Sequence, residues 1–217
     1  MSSQVRGGTR WKRFAVVMVP SVIATAAIGV GLAQGALAAS FSVSGQEFKV
    51  TAQELNGEGF VQYGSIATED GADPTKPGKA HAVAVSGFRH ATITNMCQSV
   101  VTPNLPFGLG SVTLKLKAAD PKDTDKKVDA TGLYLDVSEL KGDAEFGNID
   151  IGVRTGDLSD PGVQPKAGKY VNPNGFSQRA DTAKLTGVQQ KAWATTAGTF
   201  KLPGLHLSLS KGVDECY

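Results

Sequence analysis

Beyond residue 40, apolar residues alternate with polar or small ones over most of the chain. Phe41 and Val43; Phe48, Val50 and Ala52; Val112, Leu114 and Leu116; Leu133, Leu135 and Val137; Ile149, Ile151 and Val153; and Leu205, Leu207 and Leu209 all recur at every second position. Successive strand side chains point to opposite faces, so this period predicts strands with one buried face. A 3.6-residue period is not sustained anywhere beyond residue 40 over twelve capped positions. The best candidate, Lys184 to Thr196, is interrupted by Gly187 and rich in Thr. The pattern predicts an all-β fold, one sandwich or barrel-like domain over residues 39–217. Thr68–Ala80 and Gly156–Ala180 hold five of the ten prolines with Asp-Gly, Pro-Gly and Asn-Gly steps, and read as surface loops. The second is long for a structureless connection, so it is either functional or ordered by its own packing.

The chain also resembles itself. Phe48-x-Val50-x-Ala52-x-Glu54-Leu55-x-Gly57 matches Leu133-x-Leu135-x-Val137-x-Glu139-Leu140-x-Gly142 at an offset of 85. Ala91–Asn95 resembles Ala183–Gly187, and Val112–Leu116 resembles Leu205–Leu209, in the same order. Two similar β halves, 41–118 and 131–211, are therefore expected to share one core. Leu55 and Leu140 should be buried alike before equivalent Glu-Leu-x-Gly turns, with Gly57 and Gly142 at positive φ.

The N-terminus has a different grammar. Arg6, Arg10, Lys12 and Arg13 precede twenty uncharged, mostly apolar residues, Phe14–Ala33, and small residues follow at Ala36 and Ala38. This reads as a secretory signal over residues 1–38, cleaved between Ala38 and Ala39. The alternative is an uncleaved signal anchor, because twenty apolar residues are long enough to span a bilayer through 14–33. In both cases residues 40–217 face outward, secreted or attached to the cell membrane. Without residues 1–38 the balance becomes 18 Lys+Arg against 20 Asp+Glu, so the positive charge belongs to the leader and a nucleic-acid partner is excluded.

Only Cys97 and Cys216 occur. An even count in an oxidising compartment favours a disulfide between them, the alternatives being free thiols or a bridge between chains. Neither has a His or second Cys at metal-ligand spacing, and no cofactor is implied. A nucleophile elbow needs Gly-x-Ser-x-Gly, and the nearest approach, Gly175-Phe-Ser177-Gln-Arg179, has Arg at the last position. His81, His90 and His206 are the only candidate bases. Asp120–Asp129 gathers four carboxylates with Lys122, Lys126 and Lys127 between them, and lacks the Gly and Glu of a calcium loop. It reads as a solvated connection.

The N-terminal block, GFVQYG at Gly59–Gly64, MCQSV at Met96–Val100, NIDIG at Asn148–Gly152, NPNGFSQRA at Asn172–Ala180, AWATTAGTFKLPGL at Ala192–Leu205 and the terminal ECY resemble a family of exported actinobacterial proteins of unknown function. Members of that family are often labelled cholesterol esterase. The resemblance implies an envelope location and supplies no site residues. The reading that follows is a non-enzymatic, exported β-domain of the cell envelope that binds an apolar ligand or another envelope protein. Its rivals are an esterase acting on lipid or sterol esters and a membrane-anchored accessory subunit.

Overall fold

Nine antiparallel strands account for nearly all regular structure in the computed structural model, which describes residues 45–69, 80–106, 110–165 and 171–217. They are β1 (Phe48–Thr68), β2 (Ala80–Thr94), β3 (Met96–Leu105), β4 (Gly110–Ala118), β5 (Val128–Gly147), β6 (Asp150–Arg154), β7 (Phe176–Thr196), β8 (Thr199–Lys201) and β9 (His206–Lys211). The all-β expectation holds, and Lys184–Thr196 lies within β7 rather than a helix.

Four long strands organise the sheet. β1 pairs with β2 through Glu54–Thr68 and with β7 through Phe48–Tyr63, while β5 pairs with both β2 and β7. The order β1–β2–β5–β7 therefore returns to β1 and closes a ring. β3 and β4 extend from the start of β1, and β9 pairs with β4 to end that wing.

Inside the ring lies the main core, centred on Leu55, Phe60, Phe88, Leu133, Leu185 and Val188. The in–out alternation of the long strands shifts by one residue at several points. Gly57 and Phe60 both face the core, as do Leu185 and Val188. Gly59 and Gly187 sit at these steps with φ of +60°, a conformation that a β-carbon disfavours. A second cluster on the outer face, Val61, Tyr63, Val83, Val85, Tyr134 and Ala194, is covered by Leu158 from the segment after β6. That segment, expected to be a surface loop, packs its described first part onto this face through residues 158–164. Tyr134 Oη donates to Gly162 O at 3.0 Å, and Gln164 N donates to Tyr63 Oη at 2.8 Å. Its last five residues, Phe176–Ala180, belong to β7.

The internal likeness needs correction in its details. Both Glu-Leu-x-Gly segments lie within strands, not at turns. Leu55 is buried at 5% exposure, whereas Leu140 is 40% exposed. Leu55 pairs with Ile93, but Leu140 pairs with Gln190 rather than Leu185. Gly142 has φ of +154° and Gly57 has no positive φ. The strand pairing is nonetheless alike in the two halves: β3 follows β2 and joins the start of β1, as β8 follows β7 and joins the start of β5.

Leu205, Leu207 and Leu209 also depart from expectation. They are 52%, 56% and 70% exposed, while Ser208 and Ser210 on the other face are half-buried. The C-terminal segment lies across that other face of the wing. Asp214 N donates to Thr113 Oγ1 at 3.0 Å, and Cys216 N donates to Ser99 Oγ at 3.0 Å.

Candidate functional site

Cys97 and Cys216 are joined in a disulfide, as expected for an oxidising compartment. It fixes the chain end to β3, where Lys49 Nζ also donates to Glu215 Oε2 at 2.8 Å. Residues 14–33, Ala38 and Ala39 lie outside the described residues. Among the described residues, no helix is long and apolar enough to cross a membrane, and no group of three His, Cys, Asp or Glu could hold a metal ion. The carboxylate-rich connection after β4 is a turn closed on itself, with Thr124 N donating to Asp120 O at 2.9 Å.

The candidate catalytic types are dispersed. Ser177 is fully buried and its hydroxyl donates to Val153 O at 2.7 Å, which leaves it unable to attack a substrate. His81 stacks on Trp193 with ring centroids 3.6 Å apart. His90 Nε2 lies 3.0 Å from Asp129 Oδ2, and this bond, followed by Lys201, holds the Asp129 carboxyl below its usual range. No hydroxyl is hydrogen-bonded to His90 among the described residues. His90 borders a cleft of about 390 Å³ that includes Thr92, Glu145 and Lys184.

A void of about 120 Å³ inside the ring is lined by Leu55, Phe60, Phe88, Leu135, Phe146 and Leu185. A drug-sized ligand needs roughly 300–1,000 Å³, so this void is too small for a lipid-sized one.

A larger concavity is polar and opens between β1, β2, β6, β7 and the covering segment. This cleft of about 700 Å³ runs from Gly59–Val61 of β1 and Arg89 of β2 to Asn148–Asp150, Ser159–Asp160 and Arg179–Asp181. Strand register explains the convergence. Arg179 stands opposite Val61 on one side and Asp150 on the other, and its Nε donates to Asp150 Oδ2 at 3.0 Å. Arg89 reaches the covering segment, where Nη1 donates to Asp160 Oδ2 at 2.6 Å. Asn148 Nδ2 donates to Asp181 Oδ2 at 2.8 Å. The close approach depends on Gly59, where a Cβ would lie 3.1 Å from both Arg89 Cβ and Pro161 Cδ. Two guanidinium groups and three carboxylates thus line the cleft, each fixed by a partner and each still reached by solvent. No sequence motif marks this cleft, because its residues come from five separate segments.

One carboxyl under the covering segment is poorly served. Asp136 has a buried Oδ1 without a hydrogen-bond partner, and burial pushes its pKa up to about 6. The folded-state pKa exceeds the unfolded one. Stability from the neutral acid is therefore complete below about pH 4, declines as pH rises towards 6, and levels off beyond it. Asp136→Asn is expected to raise stability at pH 7.5 by about 2–3 kcal/mol and to leave it unchanged at pH 4. Urea denaturation at the two pH values measures both.

The fold and its polar cleft define an all-β domain stapled at its C-terminus and closed on itself by long strands. A family model described as "Family of unknown function (DUF6230)" matches residues 44–217, and the chain belongs to that family. No curated protein and no solved structure matches it.

Proposed function

We propose that this is an exported binding domain of the cell envelope, without catalytic chemistry of its own, that takes a neutral, hydroxyl-rich ligand of the glycan class in the 700 Å³ cleft. The disulfide between Cys97 and Cys216 is consistent with folding outside the cytoplasm, and the N-terminal signal grammar agrees with it. The resemblance to exported actinobacterial proteins supports the same location.

The alternation of donors and acceptors in the cleft carries the choice of ligand. Arg89 and Arg179 present N–H groups beside the carboxylates of Asp150, Asp160 and Asp181. A sugar hydroxyl donates and accepts at once, so it can bridge such neighbours, whereas a polyanion or polycation would meet charge of its own sign. The paired side chains are already oriented, which lowers the entropy lost on binding. The apolar-ligand version of the reading is less favoured, because the interior void is too small for it.

Soluble oligosaccharides cut from envelope polymers should raise the Tm of the protein and bind saturably in calorimetry. Arg89→Ala and Arg179→Ala should each weaken binding by about tenfold or more with the fold intact. If no neutral oligosaccharide binds, or if both variants bind as well as the parent, the cleft is not the ligand site.

The label attached to the resembling family suggests an ester hydrolase, and the His90–Asp129 pair is the observation that would serve it. Hydrolysis of short-chain esters above a heat-killed control, abolished by His90→Ala, would establish that reading instead.

A further inference from the structure

The two strands that end the main sheet path, β6 and β9, are built differently. β6 ends one side with five residues, a register shift between Ile151 and Val153, and charged Asp150 and Arg154 in ion pairs. Such bulges and charges blunt an edge against pairing with another chain. β9 ends the other side as six residues in unbroken register with β4, without a proline, and with a charge only at Lys211. Its outer edge has no strand partner among the described residues.

The side chains of β9 point the same way. Leu207 and Leu209 share a face with Leu116 and Leu114, their partners on β4, and all the charged or hydroxyl residues of β9 except Lys211 take the opposite face. Alternation of this kind is the pattern of a strand with one covered face, yet the protomer leaves these leucines in solvent.

We infer that β9 pairs antiparallel with β9 of a second copy, about a two-fold axis through Ser208. Equal faces must meet in an antiparallel pair, so Leu207 stands opposite Leu209 of the second copy and His206 opposite Ser210. Each leucine then packs against a leucine across the junction, joining the two wings into one sheet. Charge fits the same register. Lys211 comes opposite Leu205 of the second copy, next to Gly204, and Gly204 lies against Thr124 in the turn that carries Asp123 and Asp125. Lys211, Asp123 and Asp125 have no ion-pair partner within the protomer among the described residues. An isologous pair brings this lysine to those carboxylates twice. The inference does not depend on what the polar cleft binds.

Ser208→Cys tests the axis. On mild oxidation of the exported protein, the variant should run as a covalent dimer on a non-reducing gel, with Cys97–Cys216 intact by peptide mass. His206→Cys should stay monomeric, and His206→Cys with Ser210→Cys should cross-link. Sedimentation of the unsubstituted protein should show a dimer that Lys211→Glu weakens by about tenfold, and that Lys211→Glu with Asp123→Lys and Asp125→Lys restores. Ser208→Cys cross-linking no better than His206→Cys overturns the register. A protein that stays monomeric at high concentration, or whose leucines instead bind phosphatidylcholine vesicles, overturns the pairing itself.

Discussion

Replacing Cys97 and Cys216 together by alanine is expected to remove roughly 4–5 kcal/mol of stability, read as a lower denaturant midpoint in urea. The bridge closes a loop of 119 positions, and in the chain-entropy account a loop of that length restricts the unfolded chain strongly. The same change frees the last residues from β3. Asp214 and Cys216 donate backbone hydrogen bonds to Thr113 and Ser99, and without the covalent tie these bonds must hold the chain end alone. Reduction of the parent protein should reproduce the loss. An unchanged midpoint would mean that the end of the chain and the wing it crosses contribute little to the folded state.

The second large effect is expected at the centre of the ring. Phe88 is almost fully buried, stacks in a tilted contact with Phe60 at 5.4 Å, and lies directly over Gly57. A Cβ at Gly57 would come within 2.2 Å of the Phe88 ring, closer than any relaxed contact. Phe88→Ala should cost about 3–5 kcal/mol through the cavity it leaves. Gly57→Ala should cost about 1–3 kcal/mol or more by pushing the ring aside. Because both changes act on one volume, the double variant should lose less than the two losses together. Strict additivity in urea unfolding would show that the ring does not rest on Gly57.

Strand content was legible because the alternation of Phe48–Ala52, Val112–Leu116 and Leu133–Val137 is local and the core is not far away. The lengths of β1, β5 and β7 were not, since residues such as Gly59 and Gly187 shift the alternation by one and look like strand ends. Leu205, Leu207 and Leu209 misled for a different reason. Which face of β9 is covered depends on the chain end crossing beneath it, a contact held through Cys97, far away in sequence. The disulfide itself was legible from the cysteine count and the compartment expected from the N-terminal grammar. The polar cleft was not, because Arg89, Asp150, Asp160 and Arg179 gain meaning only when register sets them side by side. The likeness between Leu55 and Leu140 reflected strand chemistry shared by two places with different neighbours.

Closure of the ring has a consequence for when the domain can exist at all. β1 begins at Phe48 and has β2 and β3 along one edge, but its other edge is paired only by β7, whose pairing residues run from Ser177 to Ala192. A growing or translocating chain therefore carries its longest early strand with one side unsatisfied until most of the sequence is present, and contacts of such separation form slowly. If the chain is exported as proposed, this delay keeps it from completing its domain before it has crossed the membrane. The topology that makes the finished molecule closed is thus also what keeps the unfinished one open.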